Sequence, residues 1–319
     1  MSILVTGGAG FIGSHLIERL VEQSTAPVVC LDNFNDYYDP ALKRANVEAF
    51  ADSSQVTLIE GTFCDAPAMQ RLFDEHDVHQ VVHLGAYAGV RPSVAQPFIY
   101  QEANVRGTLS LLEAARAHPV ERFLLISSST VYGRGATAPF REDAPLGVPM
   151  SPYGATKRSA ELLGLAYHDL HSVPVVCLRP FSVYGPRLRP DLAMHIFTEA
   201  IETGRPIPLF GDGSVRRDFT HIDDICRGLL AALSAEGVVG EAINLGHSEP
   251  IEIRQLIAML EDATGKKAVV ESRPAAPGDM PITNADLTKA ARLLDYRPQV
   301  PFSAGLPEYV AWFRRAHSR

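Results

Sequence analysis

Short apolar runs rich in Val, Ile and Leu recur through the first part of the chain, at residues 3–6, 28–31, 56–60, 80–84, 123–127 and 175–178. They are continuous, not alternating, so both faces of each strand are expected to be covered, and helical patterns separate them. That rhythm predicts βαβ units feeding a parallel sheet with helices on both sides. The longest helices between strands are expected at 100–117 and 152–171. After Arg179 the texture changes: Pro180, Pro186, Pro190, Pro206 and Pro208 break the chain, and Gly211-Asp212-Gly213 marks a turn. The fold class predicted is α/β, a doubly wound parallel sheet over residues 1–180 with a smaller C-terminal α/β domain over 181–319. A strand near 242–245 is expected to return to the first sheet.

Composition narrows the possible partners. The 319 residues suffice for two cores. A formal charge of −8 argues against nucleic acid, which needs a basic face, so any anionic ligand must be met by local arginines. Cys30, Cys64, Cys177 and Cys226 lie far apart with no Cys-x-x-Cys pair, which predicts a reduced compartment and no structural metal. No apolar run reaches the ~20 residues of a membrane span, and the chain opens on a strand and not on a secretory signal. A soluble, cytoplasmic protein with no membrane partner is expected.

The first strand runs into Gly7-Gly8-Ala9-Gly10-Phe11-Ile12-Gly13 and then a helix, the context a dinucleotide-binding loop requires. Gly7 permits the tight turn, Gly10 lets the backbone approach a pyrophosphate, and Gly13 lets the helix pack on the strand. The helix N-terminus offers free N–H groups to phosphate. Asp32 ends the second strand, placed to accept from the adenosine ribose hydroxyls and to repel a 2′-phosphate. With no Arg or Lys at positions 8 or 9, NAD is favoured over NADP on a Rossmann-type sheet. Asn33 and Asn35 follow Asp32 along the same edge. Asp65 either touches the adenine edge or caps the helix starting near Pro67; both roles stay open.

Ser151-Pro152-Tyr153-Gly154-Ala155-Thr156-Lys157 sets Tyr153 and Lys157 on one face at the start of a helix. A phenol with a pKa near 10 is a poor base, and a nearby ammonium together with a positive nicotinamide is expected to lower it. Lys157 also reaches the nicotinamide ribose. Upstream, Ser127-Ser128-Ser129-Thr130 forms a hydroxyl cluster at the carboxyl edge of the sheet, where open α/β folds bind ligands. One of these hydroxyls is expected to bind the substrate oxygen, while at least one satisfies strand-end backbone groups.

With these motifs in hand, the chain resembles the extended short-chain dehydrogenase/reductase family, and within it the nucleotide-sugar 4-epimerases, over essentially its whole length. The resemblance implies that Ser128 is the catalytic hydroxyl beside Tyr153 and Lys157, and that Asn104 lies on the cofactor-side helix. It also implies that the stretch holding Leu84 and Ala86 runs along NAD, with Pro180 on the cofactor side. Gly85 stands where the family usually has Ala, a departure expected to cost little. Arg217 looks like the family's diphosphate-binding arginine and Asp279 like its nucleoside-ribose carboxylate; a further Arg is replaced by Ala276, so diphosphate binding is expected to lean on Arg217. The 32–40 stretch, Ala88-Gly89-Val90-Arg91 and Tyr184-Gly185-Pro186-Arg187-Leu188-Arg189-Pro190-Asp191 look most like UDP-glucuronate 4-epimerases. A uronic acid carries a C5 carboxylate that demands extra donors, for which Ser182, Arg91 and Arg189 are candidates beside Ser129; each arginine also has the plainer role of an ion pair.

The implied reaction is NAD-dependent 4-epimerisation of a UDP-uronic acid through a 4-keto sugar, in a homodimer joined by the helices at 100–117 and 152–171. The rivals are a UDP-glucuronate decarboxylase, a UDP-galactose-type epimerase of neutral sugars and a non-catalytic NAD-binding scaffold. A 4,6-dehydratase needs an Asp-Glu pair where Ser129 and Thr130 stand, and neither residue can act as that acid or base.

Overall fold

A computed structural model of the chain describes residues 1–274 and 280–317. The apolar runs form strands β1 (Ser2–Thr6), β2 (Val28–Asp32), β3 (Val56–Glu60), β4 (Val78–His83), β5 (Arg122–Ile126) and β6 (Val175–Pro180), each within two residues of its expected bounds. The later strands are β7 (Ser182–Tyr184), β8 (Pro206–Phe210), β9 (Arg216–His221), β10 (Ala242–Leu245), β11 (Pro250–Glu252) and β12 (Val269–Arg273). Seven strands make one sheet in the order β10-β6-β5-β4-β1-β2-β3. Every neighbouring pair is parallel. The winding reverses between β1 and β4, which opens a crevice at their carboxyl ends where the glycine loop begins.

Successive residues on these strands enter opposite cores, which is why the runs are apolar throughout. Leu4, Val81, Phe123 and Val175 pack on one side with Leu72, Phe73 and Leu111. Val5, Val82, Leu124 and Val176 pack on the other with Leu16, Leu229 and Ile243. Burial of each such side chain contributes roughly 1.5–3 kcal/mol. The second core runs on without a break into Tyr184, Phe219, Leu256 and Phe313 of the later half. There β7, β9 and β11 form a three-stranded sheet and β8 pairs with β12. That half is interleaved with the first: β10 extends the main sheet, and helix Ile222–Ser234 packs on helix Phe11–Gln23.

Helix Pro152–His171 has the bounds expected from sequence. Ser151 accepts a bond from Gly154 N at 3.1 Å, Pro152 fills the first turn, and Ser172, at φ 56°, ends it. The helix expected at 100–117 is instead composite, with α segments Pro97–Gln101 and Thr108–Ala117 joined by a π-helical turn, Glu102–Gly107. Such a turn re-aims side chains within a continuous helix, and here it carries Asn104. Among the described residues no helix is long and apolar enough to cross a membrane.

Candidate active site

The glycine loop is fixed by contacts that tolerate no side chain. Gly7 has φ +67°, and a Cβ on it would lie 2.9 Å from Gly85 Cα; a Cβ on Gly13 would lie 2.3 Å from Gly7 O. Gly10 begins helix Phe11–Gln23 with no side-chain cap and no acidic residue in the first turn, leaving that N-terminus open to an anion. Phe11 and Ile12 turn into the core beneath it.

A cavity of about 1020 Å³ lies over the loop, with Gly7, Asp32, Asn33 and Asn35 on one side and Gly85 and Ala86 on the other. Asp32 is buried and accepts from Ala9 N (3.2 Å), Phe34 N (2.9 Å) and Lys43 Nζ (3.4 Å). A carboxylate offers roughly four acceptor sites, so one remains for a ligand hydroxyl. Lys43, which also donates to Asn35 Oδ1 at 3.1 Å, is a cation the sequence reading missed, because it comes from helix Pro40–Val47 and not from the glycine loop. Its signal is Asp39-Pro40, a helix start that returns the next turn to Asp32. Asp65 caps helix Ala66–Glu75 by accepting from Ala68 N at 3.0 Å, and the cavity wall there is Thr62, Phe63 and Cys64.

Phe63 corrects one expectation. A methyl at Gly85 would meet Phe63 Cε1 at 2.4 Å, and a methyl at Gly107 would meet the ring's other edge at 2.4 Å, so the ring lies closely between two glycines. Gly85 is therefore required by this chain's Phe63 and is not a slight departure.

Behind this wall His83, 3% exposed, joins β1 to the composite helix. Gly85 N donates to Thr6 Oγ1 (3.1 Å), which lies 2.7 Å from His83 Nδ1, while His83 Nε2 lies 3.0 Å from Thr108 Oγ1, which donates to Asn104 O (2.7 Å). Because the Thr108 proton is spent on Asn104, His83 donates from Nε2 and accepts at Nδ1 as a neutral ring. Burial pulls its pKa down to about 3. Asn104 is 1% exposed, and its amide is taken by Tyr87 O (2.9 Å), Tyr87 N (2.9 Å) and Thr156 Oγ1 (3.1 Å). Its contacts are thus with the loop and the Tyr153 helix, and not with the cavity. Leu84, partly buried, packs against the core beside it.

At the carboxyl end of β5, Ser128 Oγ accepts from Thr130 N (3.2 Å) and Thr130 Oγ1 (3.0 Å), which leaves its own proton to donate. Tyr153 packs edge-on against Tyr100 with ring centres 6.2 Å apart. Lys157 is 6% exposed and donates to Ile126 O at 2.7 Å; burial pulls its pKa down to about 8. Burial pushes the Tyr153 phenol up, opposed by the Ser128 hydroxyl and then by the Arg189 guanidinium. In the chain without NAD the Lys157 ammonium is held at the end of β5 by Ile126 O, and the expected lowering of the phenol concerns the site with the positive nicotinamide in place. Ser129 is buried at the start of the turn Ser129–Tyr132, Ser182 is partly exposed on β7, and Pro180 ends β6 opposite Leu245.

The three candidate arginines go to different places. Arg91 lies over the Phe210 ring at 4.1 Å. Arg217 Nη1 donates to Met280 O at 2.8 Å. Arg189 forms a two-bond pair with Asp191, Nε–Oδ1 2.9 Å and Nη2–Oδ2 2.6 Å, beside the Tyr37 ring. Asp279 lies outside the described residues. A cavity of dinucleotide size over the glycine loop, with a phenol, a hydroxyl donor and a buried ammonium at the carboxyl edge of the same sheet, suits removal of a hydroxyl proton from a substrate.

The sequence profile of the NAD dependent epimerase/dehydratase family matches residues 3–246. A curated relative, the UDP-glucuronate 4-epimerase of Thermodesulfobacterium geofontis, is 41% identical over 97% of this chain and 95% of its own length. The crystal structure of UDP-glucuronic acid 4-epimerase from Bacillus cereus in complex with UDP-glucuronic acid and NAD has a TM-score of 0.94 and 40% identity, covering 99% of this chain and all of that one (100%). A UDP-glucose 4-epimerase from Thermotoga maritima, solved with UDP-glucose, has a TM-score of 0.91 and 32% identity, covering 99% of each chain.

Proposed function

The chain belongs to the NAD dependent epimerase/dehydratase family, and we propose that within it this protein is an NAD-dependent isomerase that interconverts UDP-glucuronate and UDP-galacturonate at C4. The choice of a uronic substrate is supported by the 40–41% identity to UDP-glucuronate 4-epimerases over nearly the whole chain, together with the Arg189 guanidinium that Asp191 holds by one edge. An acidic chain gains from a local cation there when the sugar carries a C5 carboxylate.

The cavity fits NAD. The pyrophosphate would lie on the Gly7–Gly13 loop and the open helix N-terminus, the adenosine ribose on Asp32 and Lys43, and the wall of Gly85 and Ala86 along the rest. When bound, NAD supplies a hydride acceptor and donor at C4 together with a positive ring near the phenol. Tyr153 takes the C4 hydroxyl proton, and Ser128 donates to the C4 oxygen with the proton that Thr130 leaves free. Lys157, anchored on Ile126 O, holds the cofactor ribose and keeps positive charge near the phenolate. The 4-keto sugar then turns about its diphosphate, held by Arg217, and Tyr153 returns the proton with the hydride on the opposite face. Because that intermediate is a β-keto acid, Arg189 and Ser182 must hold the carboxylate out of line with the carbonyl to prevent loss of carbon dioxide.

In this reading residues 1–180 supply the cofactor half and 181–319 the nucleotide-sugar half, in the cytoplasm. Exposed Val94, Phe98, Leu162 and Leu170, on the segments flanking the Tyr153 helix and on that helix, would be covered by a second copy. The test compares turnover of UDP-glucuronate and UDP-glucose by NAD-loaded protein. Preference for the uronic substrate supports the reading, and equal or better turnover of the neutral one overturns it.

A further inference from the structure

The three stretches that resemble UDP-glucuronate 4-epimerases, at 32–40, 88–91 and 184–191, meet at one point through Tyr37, Ala88 and Asp191. Tyr37, from the segment after β2, places its hydroxyl 2.5 Å from Ala88 O and 3.3 Å from Asp191 Oδ2. Tyr100 donates to the same Ala88 carbonyl at 3.1 Å, and its ring rests edge-on against Tyr153. Asp191, from the loop after β7, closes the group by gripping Arg189 two residues away.

The grip uses one edge of the guanidinium. Arginine has five N–H donors in a rigid fork; Asp191 takes the Nε and one Nη2 proton, and Nη1 makes no hydrogen bond among the described residues. Both side chains are about four-fifths covered, at 20% and 23% exposure. A planar group held at one edge against the Tyr37 ring, 5.7 Å away, has its other edge fixed in direction. That second edge carries two parallel N–H donors, the geometry that receives a carboxylate.

We infer that Asp191 is a positioning residue that sets substrate specificity: it clamps Arg189 by the Nε edge and, with Tyr37, presents the Nη1 edge to a carboxylate-bearing sugar. The inference rests on the uronic-acid reading above and adds to it the device that enforces the choice. The Arg189–Asp191 pair is neutral, so the guanidinium never sits as an unpaired, half-buried charge before substrate arrives. A neutral hydroxymethyl group offers the presented edge one uncharged oxygen in place of a two-oxygen anion, and that loss is the discrimination.

The experiment measures dissociation constants of UDP-glucuronate and UDP-glucose, and KM and kcat for UDP-glucuronate, on NAD-loaded wild type, Asp191→Asn, Asp191→Ala, Asp191→Glu and Tyr37→Phe proteins. Asp191→Asn and Asp191→Ala are expected to weaken UDP-glucuronate about tenfold or more, the scale of a charge-assisted hydrogen bond, through KM more than kcat, with UDP-glucose little changed. Asp191→Glu is expected to restore part of the preference and Tyr37→Phe to lose part of it. Asn and Ala variants that keep the wild-type preference, or weaken both sugars alike, overturn the role given to Asp191. A wild type that binds both sugars equally overturns the uronic-acid reading itself, which separates the two failures.

Discussion

The Phe63 ring stands so close to Gly85 that a single methyl there would be 2.4 Å from Cε1, and a methyl on Gly107 would be 2.4 Å from Cε2 on the ring's other edge. Gly85→Ala is therefore expected to destabilise the chain by about 1–3 kcal/mol and to weaken NAD binding, since Phe63 and Gly85 both line the cavity. Combining it with Phe63→Leu, a smaller side chain, should recover much of both losses. Urea unfolding and a fluorescence titration with NAD check this; an unaffected single variant contradicts it.

His83 gives the protein an acid limb. Its folded pKa is pulled down to about 3 by burial, below the ordinary value of 6.5. As pH falls through ~6.5 the unfolded chain takes up a proton that the folded chain refuses, so this contribution to stability is present above that pH. It is lost progressively toward 3, at up to ~1.4 kcal/mol per pH unit. His15, pulled down to about 4, acts in the same direction. Urea midpoints measured from pH 7 to 4 should fall less steeply in His83→Gln than in wild type, and equal slopes would show that His83 is not the group responsible.

Removing the phenol should stop the proton transfer and spare the fold. Tyr153→Phe is expected to lower kcat by ~10²–10⁴ with the dissociation constant of the UDP-sugar little changed. Lys157→Met should lose activity and also loosen NAD. Activity within a few fold of wild type in Tyr153→Phe would remove Tyr153 from its assigned role.

The Tyr153 helix is seated by a buried pair: Arg179 grips Glu161 through two 2.9 Å bonds, with 5% and 4% exposure. Breaking it with Glu161→Gln is expected to cost ~3–5 kcal/mol, because the guanidinium is left buried and uncompensated. The double variant Glu161→Met with Arg179→Met should be closer to wild type than either single change, as a thermodynamic cycle on urea midpoints would show.

Much of this was legible in the sequence, and what escaped did so for physical reasons. Strands buried on both faces announce themselves as continuous apolar runs, and Ser151-Pro152 marks the start of the Tyr153 helix because a cap and a first-turn proline act locally. Lys43 beside Asp32, the Phe63 ring between Gly85 and Gly107, and Tyr37 on Ala88 and Asp191 are tertiary meetings with no periodicity to betray them. The π-helical turn escaped as well, since an extra residue in one turn leaves the apolar pattern of residues 100–117 nearly intact. The direction in which the Lys157 ammonium points, to Ile126 O, escaped because Tyr-x-x-x-Lys spacing gives proximity along a helix and not the aim of the side chain.

The most direct test of the account is to incubate the NAD-loaded protein with UDP-glucuronate deuterated at C4 and to follow the sugar by NMR. The account predicts UDP-galacturonate that keeps its carboxylate and its deuterium at C4, with no accumulation of NADH. A UDP-pentose or 4-keto pentose released with carbon dioxide, or deuterium lost to solvent, would contradict it.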